Sequence, residues 1–287
     1  MAEDTAPPTS LAEDPSSSIW MYTPSLPPAV FFSVLYGLAF LYISYLTFIR
    51  YRTWYFSVVP IGAAIEVAGY ALRCYSVKNQ ELLTPFILTL TFTVLAPLLF
   101  AAGDYLLLAR LIRSALPPGQ HRVLGVAARL ITKLFVICDI LAFLVQAAGS
   151  SIASSVSWVG PTSEVGVNVL IGGLAFQTVV LGLFLAALGR FWYKVPRDGG
   201  SWRGLGIAVM ISTVLIFIRC IYRLVEFAEG VDGYAFRNEW LLWVFESAPM
   251  FVAVVVFCVW HPGACLGKNG GKGSSDEEMV STRLGQL

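Results

Sequence analysis

The sequence predicts an all-α polytopic membrane protein, built as a bundle of seven transmembrane helices. The chain has 287 residues, of which 57% are hydrophobic, and a mean hydropathy of +0.72. Charged residues make up 13%, about half of the roughly 25% that is typical of soluble domains. Seven apolar stretches each reach the roughly 20 residues that a helix needs to cross the hydrocarbon core. The alternating pattern typical of a membrane β-barrel is absent from the sequence.

Each apolar stretch is expected to be a helix, because a lone strand cannot satisfy its backbone hydrogen bonds in lipid. In chain order, the predicted spans are residues 28–49, 54–74, 83–108, 130–149, 166–188, 205–226 and 240–260. The sequence therefore predicts a seven-helix domain at 27–263, flanked by a disordered extracellular tail at 1–26 and a disordered cytosolic tail at 264–287. The first tail lacks Lys and Arg, so it does not resemble a secretory signal.

The distribution of basic residues predicts the orientation of the bundle. Thirteen lysines and arginines lie in the first, third and fifth connections and in the carboxyl tail, whereas the opposite side has three. Positive residues mark the cytosolic side of membrane proteins. We therefore expect the amino terminus outside and the carboxyl terminus in the cytosol.

Helix breakers and small residues predict how the helices pack. Prolines inside spans free a backbone carbonyl and kink the helix, and three are found here: Pro60, Pro97 and Pro249. Glycines allow two helices to approach closely, and the best-placed ones are Gly62, Gly69, Gly172 and Gly173.

Several seven-helix functions are disfavoured by missing residues. The last span has no lysine for a retinal Schiff base, and the two histidines, His121 and His261, lie too far apart in sequence to suggest a zinc site. The GACLGK sequence at 263–268 has the wrong spacing for a phosphate-binding loop. A receptor coupled to G proteins remains compatible with the topology, although the third span ends in LARLIR rather than in a D-R-Y-type motif. We expect no cofactor, no metal site and no enzymatic activity.

Ionisable and amide residues inside the spans mark the candidate functional site, because such groups are expensive in a bilayer. On the sixth span, Arg219, Arg223 and Glu226 are spaced to share one helix face. The second and fourth spans also carry polar pairs seven residues apart, so these stripes are expected to face one cavity in the outer half of the bundle. The candidate substrate-binding residues are Glu66, Asp139, Gln146, Gln177, Arg219, Arg223, Glu226 and Glu246.

The balance of charge within the spans leaves two alternatives open. Acids on other helices should hold the arginines, and Glu66 and Glu246 are the best-placed candidates. In one alternative the network only locks the bundle together. In the other it serves a ligand: the spans hold five acids, including Asp104, so at least two acids lack an arginine and must be protonated, hydrated or paired with a cationic amphiphile.

A series of motifs resembles the fungal RTA-like proteins, also called the lipid-translocating exporter family. The motifs occur in order between about residues 20 and 263: EVAGYALR at 66–73, LAPLLFAAGDY at 95–105, DILAFLVQAAG at 139–149, GGLAFQ at 172–177, RCIYRLVEFAEGVDG at 219–233, Glu239, ESAPM at 246–250 and HPG at 261–263. Two departures from the family pattern are Ser150 and Ser151 in place of further glycines, and Glu246 where an aspartate is frequent.

The resemblance implies a fungal multi-pass membrane protein that translocates or exports lipids or amphiphiles similar to sphingoid long-chain bases, with resistance to toxic amphiphiles as a result. Its expected partners are membrane lipids and an amphiphilic, cationic lipid substrate, with no nucleic acid; the sequence identifies no cytosolic partner. The plasma membrane is the expected location, with an endomembrane as the alternative. The alternative function is a receptor or sensor of membrane lipid state that regulates a stress response without transport.

Overall fold

The computed structural model describes residues 25–79, 82–115, 122–123, 126–155, 160–194, 202–230 and 233–266. Seven helices in these ranges are long and apolar enough to cross a membrane, so the predicted all-α, seven-helix fold is confirmed. The expected tails at 1–26 and 264–287 fall outside the described residues, apart from 25–26 and 264–266.

The first six spans are built on single long α-helices, and the seventh is divided. The helices are α1 (Leu26–Ser44), α2 (Val58–Lys78), α3 (Leu83–Ala115), α4 (Ala128–Ser155), α5 (Pro161–Lys194), α6 (Trp202–Glu229), α7 (Tyr234–Arg237), α8 (Glu239–Leu242), α9 (Ala248–Val259) and α10 (Pro262–Leu266). A π-helical stretch at Tyr45–Arg50 extends α1, a 3₁₀ turn at Trp54–Phe56 precedes α2, and a second π-helical stretch at Trp243–Ser247 joins α8 to α9. The seventh span is thus α8, this π-helical segment, α9 and α10.

Most helices extend beyond the apolar stretches predicted from the sequence. The fifth span, for example, was predicted at 166–188 and runs from Pro161 to Lys194. Hydropathy marks only the residues in the hydrocarbon core, whereas the helical hydrogen-bond ladder continues into the interface. The connection before α4 holds a small antiparallel pair, β1 (Arg122–Val123) with β2 (Val126–Ala127), which the sequence did not indicate.

Contacts between helix ends define two faces of the bundle. At the face where α1 begins, called the N-face here, Glu239 accepts hydrogen bonds from Ser25 and from Arg73, so the start of α1, the end of α2 and α8 meet. At the opposite face, called the C-face, His261 lies 3.2 Å from the hydroxyl of Thr47. Successive spans therefore run in alternating directions between the N-face and the C-face.

The three prolines lie inside the spans, as predicted, but at different points of the helices. Pro97 lies inside α3. Pro60 falls in the first turn of α2, where the missing N–H would have had no intrahelical partner, so it does not interrupt that helix. Pro249 falls at the start of α9, directly after the π-helical segment at Trp243–Ser247, and this segment is the irregularity in the seventh span.

Glycines set the closest contact between two helices, at α4 and α5. A Cβ on Gly149 would lie 2.5 Å from the backbone nitrogen of Leu170, and one on Gly166 would lie 2.6 Å from that of Ala153. The two backbones are thus in direct contact across a pair of glycines, neither of which was singled out from the sequence. Gly62 and Gly173 pack closely against side chains, as predicted, but Gly172 has no such neighbour within 4 Å.

Candidate functional site

A buried cluster of charged side chains joins α6 to the seventh span. Arg219, Arg223 and Glu226 lie on one face of α6, and each is at most 5% exposed. Glu246, which is 1% exposed, approaches them from the π-helical segment. Segments of this type insert one extra residue into the helical turn and are frequent at functional sites.

Glu246 is the hub of this cluster. Its Oε1 accepts hydrogen bonds from Arg219 Nη2 at 2.9 Å and from Arg223 Nε at 3.0 Å. Arg223 Nη1 donates to Glu226 at 3.0 Å, so all three nitrogens of the Arg223 guanidinium are bonded to carboxylates. The prediction that Glu246 holds the two arginines agrees with this geometry.

Glu66 does not form the ion pair that was expected of it. It is 1% exposed and within electrostatic influence of Arg219, but no arginine in the described part of the chain lies within 4 Å of its carboxylate. Its Oε2 makes no hydrogen bond. Arg219 instead bonds through its Nη2 to Glu246 and to the backbone carbonyl of Thr93, the latter at 2.7 Å.

A cavity of about 210 Å³ lies beside the cluster, between α3, α4, α5 and α6. Its lining includes both arginines of the cluster, Arg219 and Arg223, and a pair of amides. In that pair, Gln146 Nε2 donates to Gln177 Oε1 at 2.8 Å across α4 and α5. All of the lining residues come from the halves of the four helices that lie nearer the N-face. The lining consists of Ile87, Leu90, Thr91, Val94, Phe143, Gln146, Ala147, Ser150, Ser151, Ser154, Leu170, Leu174, Gln177, Arg219, Cys220, Arg223 and Phe227.

Arg219 keeps free hydrogen-bond donors at this cavity. It is 4% exposed, and its Nη2 makes both of its hydrogen bonds. Its Nε is buried without a partner, and its Nη1 donates to none of the residues that the structure describes. Buried donors without partners are costly, so a guanidinium left in this state is suited to binding the acceptor atoms of a ligand.

The eight candidate residues separate into three groups. Gln146, Gln177, Arg219 and Arg223 line the cavity, and Glu226 and Glu246 hold the arginines without lining it. The remaining two, Glu66 and Asp139, neither line it nor form an ion pair with a described residue. The expectation of one cavity lined by all eight residues is therefore not met by this one, because none of the four acids lines it.

Asp139 belongs to a separate polar contact nearer the C-face. Its Oδ2 accepts a hydrogen bond from the Tyr105 hydroxyl at 2.7 Å, and its Oδ1 has no partner. The neighbouring Asp104 accepts from Thr213 at 3.1 Å. Among the described residues, Glu66, Asp104 and Asp139 thus form no ion pair with an arginine, which agrees with the excess of acids counted in the sequence.

Two features of the site were missed by sequence reasoning. Arg73, which was placed at the edge of the membrane, pairs with Glu239 at 2.8 Å and lies 5.0 Å from the centre of the Trp243 ring. Trp243 also stacks on Phe32, and Tyr70 and Tyr36 stack on each other beside it. The presence of Glu239 within the motif series was the available signal for the first feature. The aromatic stack joins distant segments and has no local signal.

Residues 59–269 match the family model described as RTA1 like protein. Protein RTA1 of Saccharomyces cerevisiae is 30% identical over 275 residues, which cover 85% of this chain and 84% of that protein. The probable lipid transporter atnI of Emericella nidulans is 32% identical, over 92% of this chain and 75% of its own length.

A more distant relative is named as the transporter of a defined class of lipid. The sphingoid long-chain base transporter RSB1 of Saccharomyces cerevisiae is 25% identical over 252 residues, which cover 74% of this chain and 65% of that protein. No solved structure matches this chain.

Proposed function

This chain belongs to the RTA1-like protein family, as its motifs predicted, and from that premise we propose that it is a multi-pass membrane protein that translocates lipids. The observation that carries the proposal is Arg219, a buried guanidinium with free donors at the wall of a cavity inside a membrane bundle. A buried charge of this kind needs a reason beyond stability, because a buried ion pair is weak evidence of stabilisation. The names of atnI and RSB1 support a lipid as the ligand.

The size of the cavity supports a role in holding the lipid head group. A volume of about 210 Å³ is smaller than the roughly 300–1,000 Å³ of pockets that enclose a whole drug-sized ligand. The cavity therefore suits a polar head, while the hydrocarbon chain stays among the helices and the surrounding lipid. A lipid with one chain fits this arrangement better than one with two.

We propose single-chain lipids similar to sphingoid long-chain bases as the substrate class, and resistance to toxic amphiphiles as the cellular consequence. The amine of a free base would have to pass the arginines to reach a carboxylate without an arginine, such as Asp139 or Glu66. In the proposed orientation the N-face is outside the cytosol, so the cavity opens in the outer leaflet. The plasma membrane is the proposed location, and the proposal assigns no enzymatic step to the chain.

The test is lipid flux through the purified protein in vesicles. A labelled sphingoid base or its phosphate should cross faster in vesicles that contain the protein than in protein-free vesicles. Arg219→Gln should lower the rate by about tenfold or more, because a hydrogen bond to a charged group is worth roughly 1.5–3 kcal/mol. Arg73→Gln is the matched control, since Arg73 is also buried and paired but does not line the cavity.

Two results would contradict the proposal. The first is flux equal to that of protein-free vesicles across a panel of single-chain lipids. The second is equal flux in the Arg219→Gln and Arg73→Gln variants, provided that both are folded and inserted.

A sensor of membrane lipid state is the second candidate function, and the shape of the cavity favours it. The lining residues all come from the N-face half of the bundle, and Tyr105, Phe135 and Phe184 pack together on its C-face side. A cavity closed on one side would suit a protein that binds a lipid without moving it. Lipid binding without flux in the same vesicles would support this candidate over translocation.

A further inference from the structure

The arginines of the charged cluster line the cavity, and its glutamates do not. Arg219 and Arg223 line it, whereas the carboxylates that hold them, Glu226 and Glu246, do not. The carboxylates thus reach the arginines from outside the cavity wall, and the cationic groups face the interior. The cluster of two arginines and two glutamates is neutral overall, so the nearer guanidinium groups set the sign of the potential at the wall, which should favour an anion over a cation.

The donors at the wall have the geometry that oxygen acceptors need. Arg219 Nη1 donates to no described residue, whereas its unpaired Nε is buried within the wall, and guanidinium N–H groups form short, charge-assisted hydrogen bonds to carboxylate or phosphate oxygens. On the facing helix, the amide nitrogen of Gln177 makes no hydrogen bond to a described residue, because only its Oε1 is engaged by Gln146. A head group between α5 and α6 would therefore meet N–H donors from two sides.

The acids that a cationic head group would need lie elsewhere. Glu66, Asp104 and Asp139 each have a carboxylate oxygen without a partner, but none of the three lines this cavity. An ammonium group entering the cavity would contact guanidinium groups first. The surplus acids counted in the sequence are therefore not placed to pair with an amine in this cavity.

The cavity edge also shows where the hydrocarbon chain can leave. Among the lining residues, Ile87 and Thr91 on α3 and Ala147 and Ser151 on α4 are exposed on the outside of the bundle. These residues lie side by side on the N-face halves of two neighbouring helices. A chain attached to a head group at Arg219 can therefore pass between α3 and α4 into the bilayer.

We propose that the cavity binds the anionic head group of a single-chain lipid through Arg219, Arg223 and Gln177, and that the chain exits between α3 and α4. The inference rests on the proposed function and narrows its substrate: within the sphingoid class, a form that carries a phosphate is favoured over the free base. Phosphate and carboxylate share the required chemistry, since both offer two or more anionic oxygens. The site therefore selects by the charge of the head group.

Binding of four lipids with equal chains tests the proposal. The purified protein in detergent or nanodiscs is titrated with 18-carbon amphiphiles whose heads are an amine, a phosphate ester, a carboxylate or a neutral alcohol. The phosphate or the carboxylate should bind at least about tenfold more tightly than the amine, and the comparison of these two identifies the anion. Equal binding, or tighter binding of the amine, would overturn the proposal.

The Gln177→Glu variant gives a result that misfolding cannot imitate. It places a carboxylate on the cavity wall opposite Arg219, so the preference should shift from the anionic lipids toward the amine by about tenfold or more. Gln177→Met, of similar length and without charge, is the matched control and should keep an anion preference. If the preference of Gln177→Glu equals that of Gln177→Met, the head group does not bind at this wall and the proposal is wrong.

The outcome also separates this inference from the proposed function. Lipid flux that does not depend on the charge of the head group would contradict the inference and would still agree with translocation. Failure of all four lipids to bind or to cross would contradict both the inference and the proposed function.

Discussion

Replacement of Glu246 by glutamine should destabilise the protein more than any other single change within the charged cluster. Glutamine retains an oxygen acceptor of similar position, so the change chiefly removes one negative charge. Arg223 then keeps Glu226 as an ion-pair partner, whereas Arg219 keeps only its hydrogen bond to the carbonyl of Thr93 among the described residues. Removing one partner of a buried ion pair costs roughly 3–5 kcal/mol, so we expect a loss of about 4 kcal/mol in the free energy of unfolding.

The matched comparison is Glu226→Gln, in the same cluster. Glu226 contacts one arginine, which keeps its bonds to Glu246, and it also accepts a hydrogen bond from Tyr222 at 3.2 Å. Its loss should therefore cost only about 1–3 kcal/mol. Both variants can be measured by unfolding the purified protein in mixed micelles and following tryptophan fluorescence.

The ranking of the two variants tests the role of Glu246 as the hub of the cluster. A cost for Glu246→Gln that is equal to or below that of Glu226→Gln would refute the assignment of Glu246 as the hub. Glu66 is a further buried carboxyl group under the electrostatic influence of Arg219, so it can replace part of the lost charge. The Glu66→Gln/Glu246→Gln double variant removes that compensation and should therefore cost more than the sum of the two single changes.

Two further changes test the packing of the bundle. Gly149→Ala should lower the free energy of unfolding by about 1–3 kcal/mol, because its Cβ would lie 2.5 Å from a backbone atom of α5. The control, Gly172→Ala, has open space around it and should be neutral or slightly stabilising. Equal melting temperatures of the two variants would contradict the close approach of α4 and α5. Tyr105→Phe should lower the free energy of unfolding by about 1–3 kcal/mol, because it removes the one hydrogen bond that Asp139 makes to a described residue. In the same unfolding assay, the Tyr105→Phe/Asp139→Asn double variant should lose less stability than the sum of the two single changes. Strict additivity of the two changes would show that the pair is not coupled.

The seven-helix fold could be predicted because its signal is local. Twenty apolar residues in a row predict a span without knowledge of any neighbour, and all seven predicted spans lie within the described helices or the segments that extend them. Helix ends were less accurate, as at Pro161 and Lys194 of α5, because hydropathy does not report the part of a helix that extends into the interface. The close contact at Gly149 and Gly166 depends on two helices at once, so one segment alone could not reveal it.

The buried polar face of α6 could be predicted from the sequence, whereas the pairing of its charges could not. The spacing of Arg219, Arg223 and Glu226 fixes one helix face, and that face is buried as expected. Which acid meets which arginine depends on the rotation and depth of other spans, and two acids, Glu66 and Glu246, were equally plausible partners. The π-helical segment decides in favour of Glu246, since it changes the register of the seventh span where that residue lies, and hydropathy does not show this irregularity.

The same segment links the charged cluster to the aromatic stack. Glu246 contacts the two arginines of α6, while the adjacent Ser247 accepts hydrogen bonds from the Tyr70 hydroxyl at 2.6 Å and, through its carbonyl, from Tyr36 at 2.8 Å. Consecutive residues of the seventh span therefore hold α6 on one side and α1 and α2 on the other. A head group that moves Arg219 away from Glu246 would remove a contact of the π-helical segment. The next residue of that segment, Ser247, holds α1 and α2. Lipid binding that displaces Arg219 should therefore alter, through one irregular turn, the packing of α1 and α2, which lie outside the cavity.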